Sequence, residues 1–189
     1  IRSSVMREKI AIRKKAFINR KKNYFEVSNN FFKPLIELLD KQKKNKKFSL
    51  SLYYPTNYEV NVLKLFNFTK IKKIKTLLPV TKAKNRMNFV EWRYLDLLKV
   101  NSYGMLDPYA QTKSLFPDIM LVPLLAFDSQ NNRLGYGEGF YDRYLNQFLK
   151  KKNIITIGVA FSFQRYNNIP TNKFDVKLNY ILTEKGLDQ

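Results

Sequence analysis

The spacing of apolar residues along the chain predicts alternating helices and strands. Residues 6–23 set Ile10, Ile12, Phe17 and Ile18 among basic residues, which is typical of an amphipathic helix with a cationic face. Short apolar runs bounded by proline indicate buried strands, because strands covered on both faces are apolar throughout. The predicted helices are residues 6–23, 28–44, 57–68 and 140–152, and the predicted strands are residues 47–55, 74–80, 116–128 and 153–164.

The order of elements from residue 116 onwards predicts the fold class. A predicted strand is followed by a glycine-rich loop, a helix and a second strand, which together make a βαβ unit. Such a unit joins parallel strands through a right-handed crossover, so we expect an α/β fold with a mainly parallel sheet. Open α/β sheets bind ligands beyond the carboxyl ends of their strands, and we expect the site there.

The composition limits the chemistry that the chain can perform. With 189 residues, of which 44% are hydrophobic, the chain suits one domain with a packed core. It has no cysteine and no histidine, which excludes disulfides, cysteine-ligated zinc and most hydrolase triads. Any reaction must use Asp, Glu, Lys, Arg, Tyr and backbone N–H groups. Any metal ion should be a hard cation held by oxygen, such as Mg²⁺.

A formal net charge of +20 raises the question of nucleic acid binding. The lysines are spread along the chain, with short runs at residues 41–47, 70–76 and 150–153, and this pattern favours a solvated basic surface over a dedicated polynucleotide site. An anionic small-molecule substrate is also compatible with it. No apolar stretch approaches the ~20 residues of a membrane span and no secretory signal pattern is found, so the expected location is cytoplasmic.

The stretch RLGYGEGFYDRYL, residues 133–145, places Gly135, Gly137 and Gly139 at alternate positions. Glycine at this density weakens strands and helices alike, so something must approach the main chain closely. The loop follows a strand and opens a helix, where unpaired N–H groups and the helix dipole attract phosphate. It matches neither standard nucleotide-binding glycine motif, and a loop whose glycines only form a tight turn is the alternative.

The longer stretch PDIMLVPLLAFDSQNNRLGYGEGFYDRYL, residues 117–145, resembles the signature of the 5-formyltetrahydrofolate cyclo-ligase family, also called 5,10-methenyltetrahydrofolate synthetases. Similar flanking motifs occur in the family's order at residues 9–13, 53–60, 78–80 and 157–164, so the resemblance covers nearly the whole chain. It implies a single three-layer domain over residues 1–189, with a mainly parallel central sheet and helices on both faces.

The resemblance also implies an activity. The family converts 5-formyltetrahydrofolate into 5,10-methenyltetrahydrofolate with ATP and Mg²⁺, and releases ADP and phosphate. In the implied mechanism the formyl oxygen attacks the γ-phosphate, N10 of the folate traps the resulting iminium phosphate, and phosphate leaves. No enzyme nucleophile is needed, which suits a chain without cysteine and histidine. We expect a monomer whose partner is this small-molecule substrate, with no specific nucleic acid and no membrane.

Particular residues take roles from the resemblance. It implies that Arg13, Arg133 and Tyr141 are catalytic and that Asp142 and Asn179 bind the metal ion. The implied ATP-binding residues are Lys9, Arg13, Arg133, Leu134, Gly135, Tyr136, Gly137, Glu138, Gly139, Phe140 and Tyr141. The implied folate-binding residues are Tyr54, Glu59, Tyr136, Gly137, Gly139 and Phe140.

Three positions depart from the family's pattern. Glu138 puts a carboxylate into the phosphate loop, where the family often has glycine. Leu124 replaces a glycine after the strand proline, and Asn179 stands where an aspartate is usual, so that a charge is lost from the implied metal site. Two other functions therefore stay open: a basic nucleotide- or RNA-binding module without turnover, and an ATP-using α/β enzyme for another anionic substrate.

Overall fold

The computed structural model describes residues 2–42, 47–110 and 113–189 of the chain. Within these ranges the α-helices are α1 (Arg2–Asn23), α2 (Lys33–Gln42) and α3 (Phe140–Phe148). The strands are β1 (Ser49–Ser51), β2 (Lys75–Lys82), β3 (Arg86–Glu91), β4 (Leu98–Val100), β5 (Leu106–Pro108), β6 (Ile119–Pro123), β7 (Ala126–Phe127), β8 (Arg133–Leu134), β9 (Ile155–Val159), β10 (Tyr180–Thr183) and β11 (Gly186–Asp188). No helix in the described ranges combines the length and the apolar composition that crossing a membrane requires.

Seven of the described strands form one mixed sheet in the order β11-β10-β9-β6-β1-β2-β3. The inner pairings, from β10 to β2, are parallel, and the pairings at the two edges are antiparallel. The central strand β6 pairs with β1 through Leu50 and Ile119 and with β9 through Leu121 and Ile157. Two short antiparallel ribbons, β4–β5 and β7–β8, lie outside this sheet. The expected α/β fold with a mainly parallel sheet is confirmed.

Alternate residues of β6 point to the two faces of the sheet, as the period of two in a strand requires. Ile119 and Leu121 belong to a core cluster that includes the buried residues of α2, whereas Met120 and Val122 belong to a second cluster that includes those of α3. Helices therefore cover both faces, and the expected three-layer arrangement is confirmed.

Helix α1 packs through only part of its predicted apolar face, where Ile12 and Phe17 lie against a buried cluster. Ile10 and Ile18 are 42% and 66% exposed, whereas Lys9, Ala16 and Arg20 are buried. Ala16 packs in a third cluster with residues of the β7–β8 ribbon. The prediction of a helix over residues 6–23 is confirmed, and its cationic face is buried in part, because the side chains of Lys9 and Arg20 find partners beneath the helix.

Several predicted elements are shorter than expected. Residues 28–44 begin as a 3₁₀ turn at Asn29–Phe32 and continue as α2, and residues 43–44 lie outside the described ranges. The predicted strand over 47–55 is confirmed only for β1. The predicted strands over 116–128 and 153–164 contain β6 and β9, each followed by irregular backbone, and the predicted helix over 140–152 is α3.

The predicted helix over residues 57–68 is wrong in its first half. Asn57 and Tyr58 have left-handed φ values of 50° and 62°, which no right-handed helix contains. A 3₁₀ helix follows at Val62–Asn67. The turn is closed by the Thr56 N–H, which donates to Glu59 Oε2 at 2.8 Å.

The predicted strand over residues 74–80 is confirmed as β2, but its hairpin partner β3 and strand β10 were not predicted. In β2, Pro79 interrupts the expected pattern of a paired strand, since proline cannot donate to a neighbouring strand. Proline is tolerated there because the pairing with β1 ends at Leu77, two residues earlier, and leaves that side of Pro79 unpaired. In β3, Met87 and Phe89 alternate with polar residues, so the period of two was present in the sequence.

Leu124 departs from the family's glycine and is accommodated by a glycine on the neighbouring strand. Leu124 is buried just beyond β6. A Cβ at Gly158 of β9 would lie 2.7 Å from Leu124 Cδ2, which is closer than side chains pack. The leucine side chain thus occupies the space that the missing side chain of Gly158 leaves open.

Candidate active site

Four segments meet beyond the carboxyl ends of β1 and β6. They are α1, the turn at residues 56–60, the glycine loop at residues 135–139 and the first turn of α3. Ligands of open α/β sheets bind at this edge, as the sequence predicted. Two clusters of charged side chains contact the glycine loop here.

The glycine loop needs its glycines for both conformation and space. Gly137 and Gly139 have φ values of +113° and +72°, which residues with a Cβ adopt only with strain. Arg13 of α1 runs beneath the loop, where its Nε donates to the Gly135 carbonyl at 2.8 Å. A Cβ at Gly137 would lie 3.4 Å from Arg13 Cζ. The loop therefore lies directly on a guanidinium group.

Arg133, at the start of the loop, pairs with the first turn of α3. Its Nη2 donates to Asp142 Oδ2 at 3.0 Å, and Asp142 Oδ1 accepts from the Val176 N–H at 3.0 Å. The Arg133 guanidinium lies 5.6 Å from the centre of the Tyr141 ring, close enough for a cation–π interaction. A Cβ at Gly135 would meet Arg133 Nη1 at 2.8 Å, so this glycine also makes room for an arginine.

Lys9 completes the first cluster. Its Nζ lies 2.5 Å from Asp175 Oδ2, which also accepts from the Asn172 N–H at 2.7 Å. Burial lowers the pKa of Arg13, and the charge of Asp175 partly offsets that effect. Lys9, Arg13 and Arg133 thus face two carboxylates, Asp142 and Asp175, which leaves a net positive charge suited to a polyphosphate.

The second cluster joins Glu59, Tyr136 and Arg20. The Tyr136 hydroxyl donates to Glu59 Oε1 at 2.8 Å, and Arg20 Nη2 donates to the same hydroxyl. Glu59 is only 8% exposed, and this burial raises its pKa. Hydrogen bonds from Thr56 and Tyr136 and the charge of Arg20 act in the opposite direction. The cluster is therefore a buried carboxylate whose negative charge is supported by neighbours.

Arg20 was not predicted as a site residue, although its spacing carried the signal. It follows Arg13 by seven residues, or about two helical turns, and so projects from the same side of α1. A lysine or arginine at every turn of a basic helix is usually solvated, so the sequence alone does not distinguish the buried Lys9 and Arg20 from the exposed cations of α1.

The carboxylate of Glu138 is held by a residue outside the glycine loop. Asn85, in the β2–β3 turn, donates through Nδ2 to Glu138 Oε2 at 3.0 Å and to the Glu138 carbonyl at 3.2 Å. The Tyr103 hydroxyl donates to Asn85 Oδ1 at 3.2 Å. This departure from the family's pattern thus has neutral partners.

Comparison with known proteins identifies the family of this chain. The model of the 5-formyltetrahydrofolate cyclo-ligase family matches residues 2–184. The chain belongs to the 5-formyltetrahydrofolate cyclo-ligase family. The resemblance of residues 117–145 to this family is confirmed by the match.

Members of the family from several bacteria resemble the chain over most of its length. The 5-formyltetrahydrofolate cyclo-ligase of Haemophilus influenzae is 33% identical over 140 residues, covering 71% of this chain and 74% of its own. That of Mycoplasma pneumoniae is 31% identical over 163 residues, covering 78% of this chain and 97% of its own.

Solved structures of family members share the fold. The 5,10-methenyltetrahydrofolate synthetase of Aquifex aeolicus has a TM-score of 0.72 at 28% identity and covers 96% of this chain and 92% of its own. That of Mycoplasma pneumoniae has a TM-score of 0.68 at 27% identity and covers 93% of this chain and 98% of its own.

Other residues with a predicted role in this family lie at the edges of the two clusters. The ring of Tyr54 is edge-to-face with Trp92 at 6.3 Å, and that of Phe140 is edge-to-face with Tyr103 at 5.5 Å. The Leu134 side chain is buried in the cluster beneath α1, so only its backbone faces a ligand. Burial raises the pKa of Tyr141, which keeps its hydroxyl protonated at neutral pH. The ligand-binding roles of these residues stay predictions.

Asn179 and Asp142 have separate partners. Asn179 immediately precedes β10, and its Oδ1 accepts from the Thr156 N–H at 2.8 Å and from the Thr156 hydroxyl at 3.1 Å. These bonds lie at the amino ends of β9 and β10, whereas Asp142 pairs with Arg133. In the part of the chain that the structure describes, no three acidic side chains gather as a metal site. The joint metal role of Asp142 and Asn179 stays a prediction.

The first prediction concerns Gly137. We expect Gly137→Ala to weaken ATP binding by about tenfold, because the left-handed φ strains an alanine by about 1–3 kcal/mol and relief of that strain would shift the loop backbone. Calorimetric titration with ATP measures the affinity. The matched control is Gly186→Ala, whose φ of +124° carries similar strain in the open β10–β11 turn and should leave the affinity unchanged. Equal ATP affinities of Gly137→Ala and the unsubstituted protein would contradict the prediction.

Proposed function

We propose that the chain catalyses the reaction of its family, the ATP-dependent conversion of 5-formyltetrahydrofolate into 5,10-methenyltetrahydrofolate with release of ADP and phosphate. The observation that supports this assignment best is one glycine loop in contact with two different clusters. Gly135 and Gly137 lie against Arg13, while Tyr136 between them reaches Glu59. A loop of this kind can hold a phosphate chain and a folate ring side by side.

The cationic cluster is assigned to the ATP phosphates. Arg13 uses Nε for the Gly135 carbonyl, and no partner in the described residues occupies its terminal nitrogens, which can donate to phosphate oxygens. Lys9 and Arg133 are held in place by Asp175 and Asp142, so their charges are fixed before the nucleotide binds. Preorganised cations stabilise the charge that develops on a γ-phosphoryl group during transfer.

The Glu59 cluster is assigned to the folate. Its carboxylate oxygens each accept one hydrogen bond within the protein and retain lone pairs for N–H groups of an aminopyrimidine ring. The Tyr136 ring is 40% exposed while its hydroxyl is held by Glu59 and Arg20. A fixed aromatic face next to a fixed carboxylate suits a flat heterocycle such as the pterin.

The proposed reaction requires the protein to position the two substrates and to stabilise charge, and it requires no catalytic nucleophile. The formyl oxygen on N5 attacks the γ-phosphorus, the bond to the β-phosphate oxygen breaks, and ADP leaves. N10 then attacks the carbon of the iminium phosphate, loses its proton, and phosphate departs to leave the 5,10-methenyl group. No covalent bond to the enzyme forms at any stage, which is consistent with a chain without cysteine and histidine.

Mg²⁺ is assigned to Asp142, together with the ATP phosphates and water. A magnesium ion in a nucleotide site needs only one or two protein carboxylates because it keeps several waters. The side chain of Asp142 is 23% exposed and lies next to the glycine loop. An ion bound there would neutralise charge on the phosphates, while Arg133 orients the carboxylate.

A direct assay tests the proposed activity. Purified protein mixed with 5-formyltetrahydrofolate and Mg-ATP should develop the near-UV absorbance of the methenyl product, and ADP should form in equal amount. Omitting ATP, or replacing it with a non-hydrolysable analogue, should abolish the signal. ATP hydrolysis without methenyl product would favour another anionic substrate, and RNA binding without any turnover would favour a basic binding module.

The metal assignment makes a second prediction. Asp142→Asn should raise the half-saturating Mg²⁺ concentration by about tenfold, because one charge contact is worth roughly 1.4 kcal/mol. Asn179→Asp should leave that concentration unchanged, since Thr156 already engages this side chain. The measurement is turnover against Mg²⁺ at fixed ATP for three proteins. A lower Mg²⁺ requirement in Asn179→Asp would instead bring position 179 into the metal site.

A further inference from the structure

We infer that Arg20 is a positioning residue for the folate. Its guanidinium holds Tyr136, and the turn that carries Glu59, against the end of β6. The inference rests on the proposed function, because that function assigns Glu59 and Tyr136 to the folate. Arg20 itself is 1% exposed and acts through these two side chains.

One guanidinium joins three segments of the chain. Arg20 Nη1 donates to the Leu124 carbonyl at 3.0 Å, while Nη2 donates to the Asn57 carbonyl at 2.6 Å and to the Tyr136 hydroxyl. The Leu124 carbonyl is fixed from a second direction, since Gln164 Nε2 donates to it at 2.9 Å. The backbone at the end of β6 is thus fixed by two side chains. Through its other hydrogen bonds, Arg20 fixes the turn and the glycine loop relative to this backbone.

The turn that Arg20 contacts needs support. Asn57 and Tyr58 are consecutive non-glycine residues with left-handed φ, a conformation that persists only where the surroundings hold it. Arg20 holds the Asn57 carbonyl, and the ring of Tyr24, just after α1, is edge-to-face with that of Tyr58 at 5.8 Å. Loss of the Arg20 contact would let the turn relax and would move Glu59.

Stability alone does not account for an arginine at this position. Within the described residues Arg20 pairs with no carboxylate directly, and its Nε has no hydrogen-bond partner. Burying a cation in this way is unfavourable, and a well-packed apolar side chain would be easier to accommodate. The compensating negative charge is Glu59, which Arg20 reaches through the Tyr136 hydroxyl.

The charge of Arg20 also bears on the protonation of Glu59. The titratable groups that face Glu59 are Arg20 from α1, Tyr53 after β1, Tyr136 from the glycine loop and Tyr141 from α3. Burial raises the pKa of each of these tyrosines, so they are neutral at neutral pH and Arg20 supplies the positive charge. Since burial raises the pKa of Glu59 and Arg20 lowers it, removing the charge of Arg20 should raise that pKa further.

Two substitutions of Arg20 separate geometry from charge. Arg20→Lys keeps the charge but loses the planar fork, so it should raise the KM for 5-formyltetrahydrofolate about tenfold and change the KM for ATP less than about twofold. Arg20→Met should raise the KM for 5-formyltetrahydrofolate in the same way. It should also shift the acid limb of the pH profile of kcat/KM to higher pH, because it removes the positive charge beside Glu59. Arg7→Lys and Lys22→Met, at exposed positions of the same helix, are the matched controls and should behave like the unsubstituted protein.

A double-substitution cycle tests the link through Tyr136. Arg20→Lys combined with Tyr136→Phe should raise the folate KM by less than the product of the two single effects, because the two changes share the contact between Arg20 and Tyr136. Independent multiplicative effects would overturn the inference, as would equal KM increases for both substrates or an unshifted acid limb in Arg20→Met. If neither Arg20 variant folds, Tyr136→Phe decides, and an unchanged folate KM in that variant overturns the inference.

A binding measurement keeps this inference apart from the proposed activity. Calorimetric titration with 5-formyltetrahydrofolate in the absence of ATP should show weaker binding by Arg20→Lys than by the unsubstituted protein. Equal affinities overturn the positioning role whether or not turnover occurs. Absence of turnover in the unsubstituted protein, together with a difference in folate affinity, would contradict the proposed activity and leave the positioning role supported.

Discussion

Three cations on one face of α1 form the constraint around which the site is built: Lys9 and Arg20 are buried, and Arg13 is half-buried. Lys9, Arg13 and Arg20 each lose water on folding, and each must find an oxygen partner beneath the helix. They find Asp175, the Gly135 carbonyl and the Leu124 carbonyl, which belong to three different segments. The orientation of α1 is thereby set by its polar contacts, and its isoleucines at positions 10 and 18 are left in solvent.

The shape of the glycine loop follows from those contacts. A side chain at Gly135 would displace the Arg133 guanidinium, because its Cβ would lie 2.8 Å from Nη1, whereas a Cβ at Gly137 would make ordinary van der Waals contact with Arg13. The loop is thus bare for two reasons: its left-handed φ values and the guanidinium beneath Gly135. The same arginines supply positive charge where phosphates are proposed to bind, so one arrangement explains both the sequence of the loop and its use.

Local patterns in the sequence predicted much of this structure. The βαβ order around residues 116–164 was sufficient for the parallel sheet, and the alternate glycines located the loop before a helix. These features depend on neighbours within a few residues. The side of α1 that is buried, the left-handed turn at Asn57 and Tyr58 and the role of Arg20 depend on contacts with segments more than thirty residues away. No helical periodicity reports such contacts.

The three departures from the family's pattern also depend on contacts with residues that are distant in the sequence. Leu124 is explained by Gly158, a residue on a neighbouring strand, and Glu138 is explained by Asn85 in a distant turn. Asn179 engages Thr156 at the other end of the strands. Each substitution raised a question about chemistry when only the sequence was considered. Each has a neighbour in the fold that accounts for its side chain without a change in the two charged clusters.

Arg13, a half-buried cation of α1, is proposed to bind ATP together with the glycine loop, and calorimetric titration of Arg13→Lys with ATP tests this role most directly. A lysine keeps the charge but cannot both hold the Gly135 carbonyl and present a planar edge to phosphate. We expect Arg13→Lys to bind ATP about tenfold more weakly than the unsubstituted protein, and Arg7→Lys to bind it equally well. Equal ATP affinity in all three proteins would contradict a role of Arg13 in ATP binding.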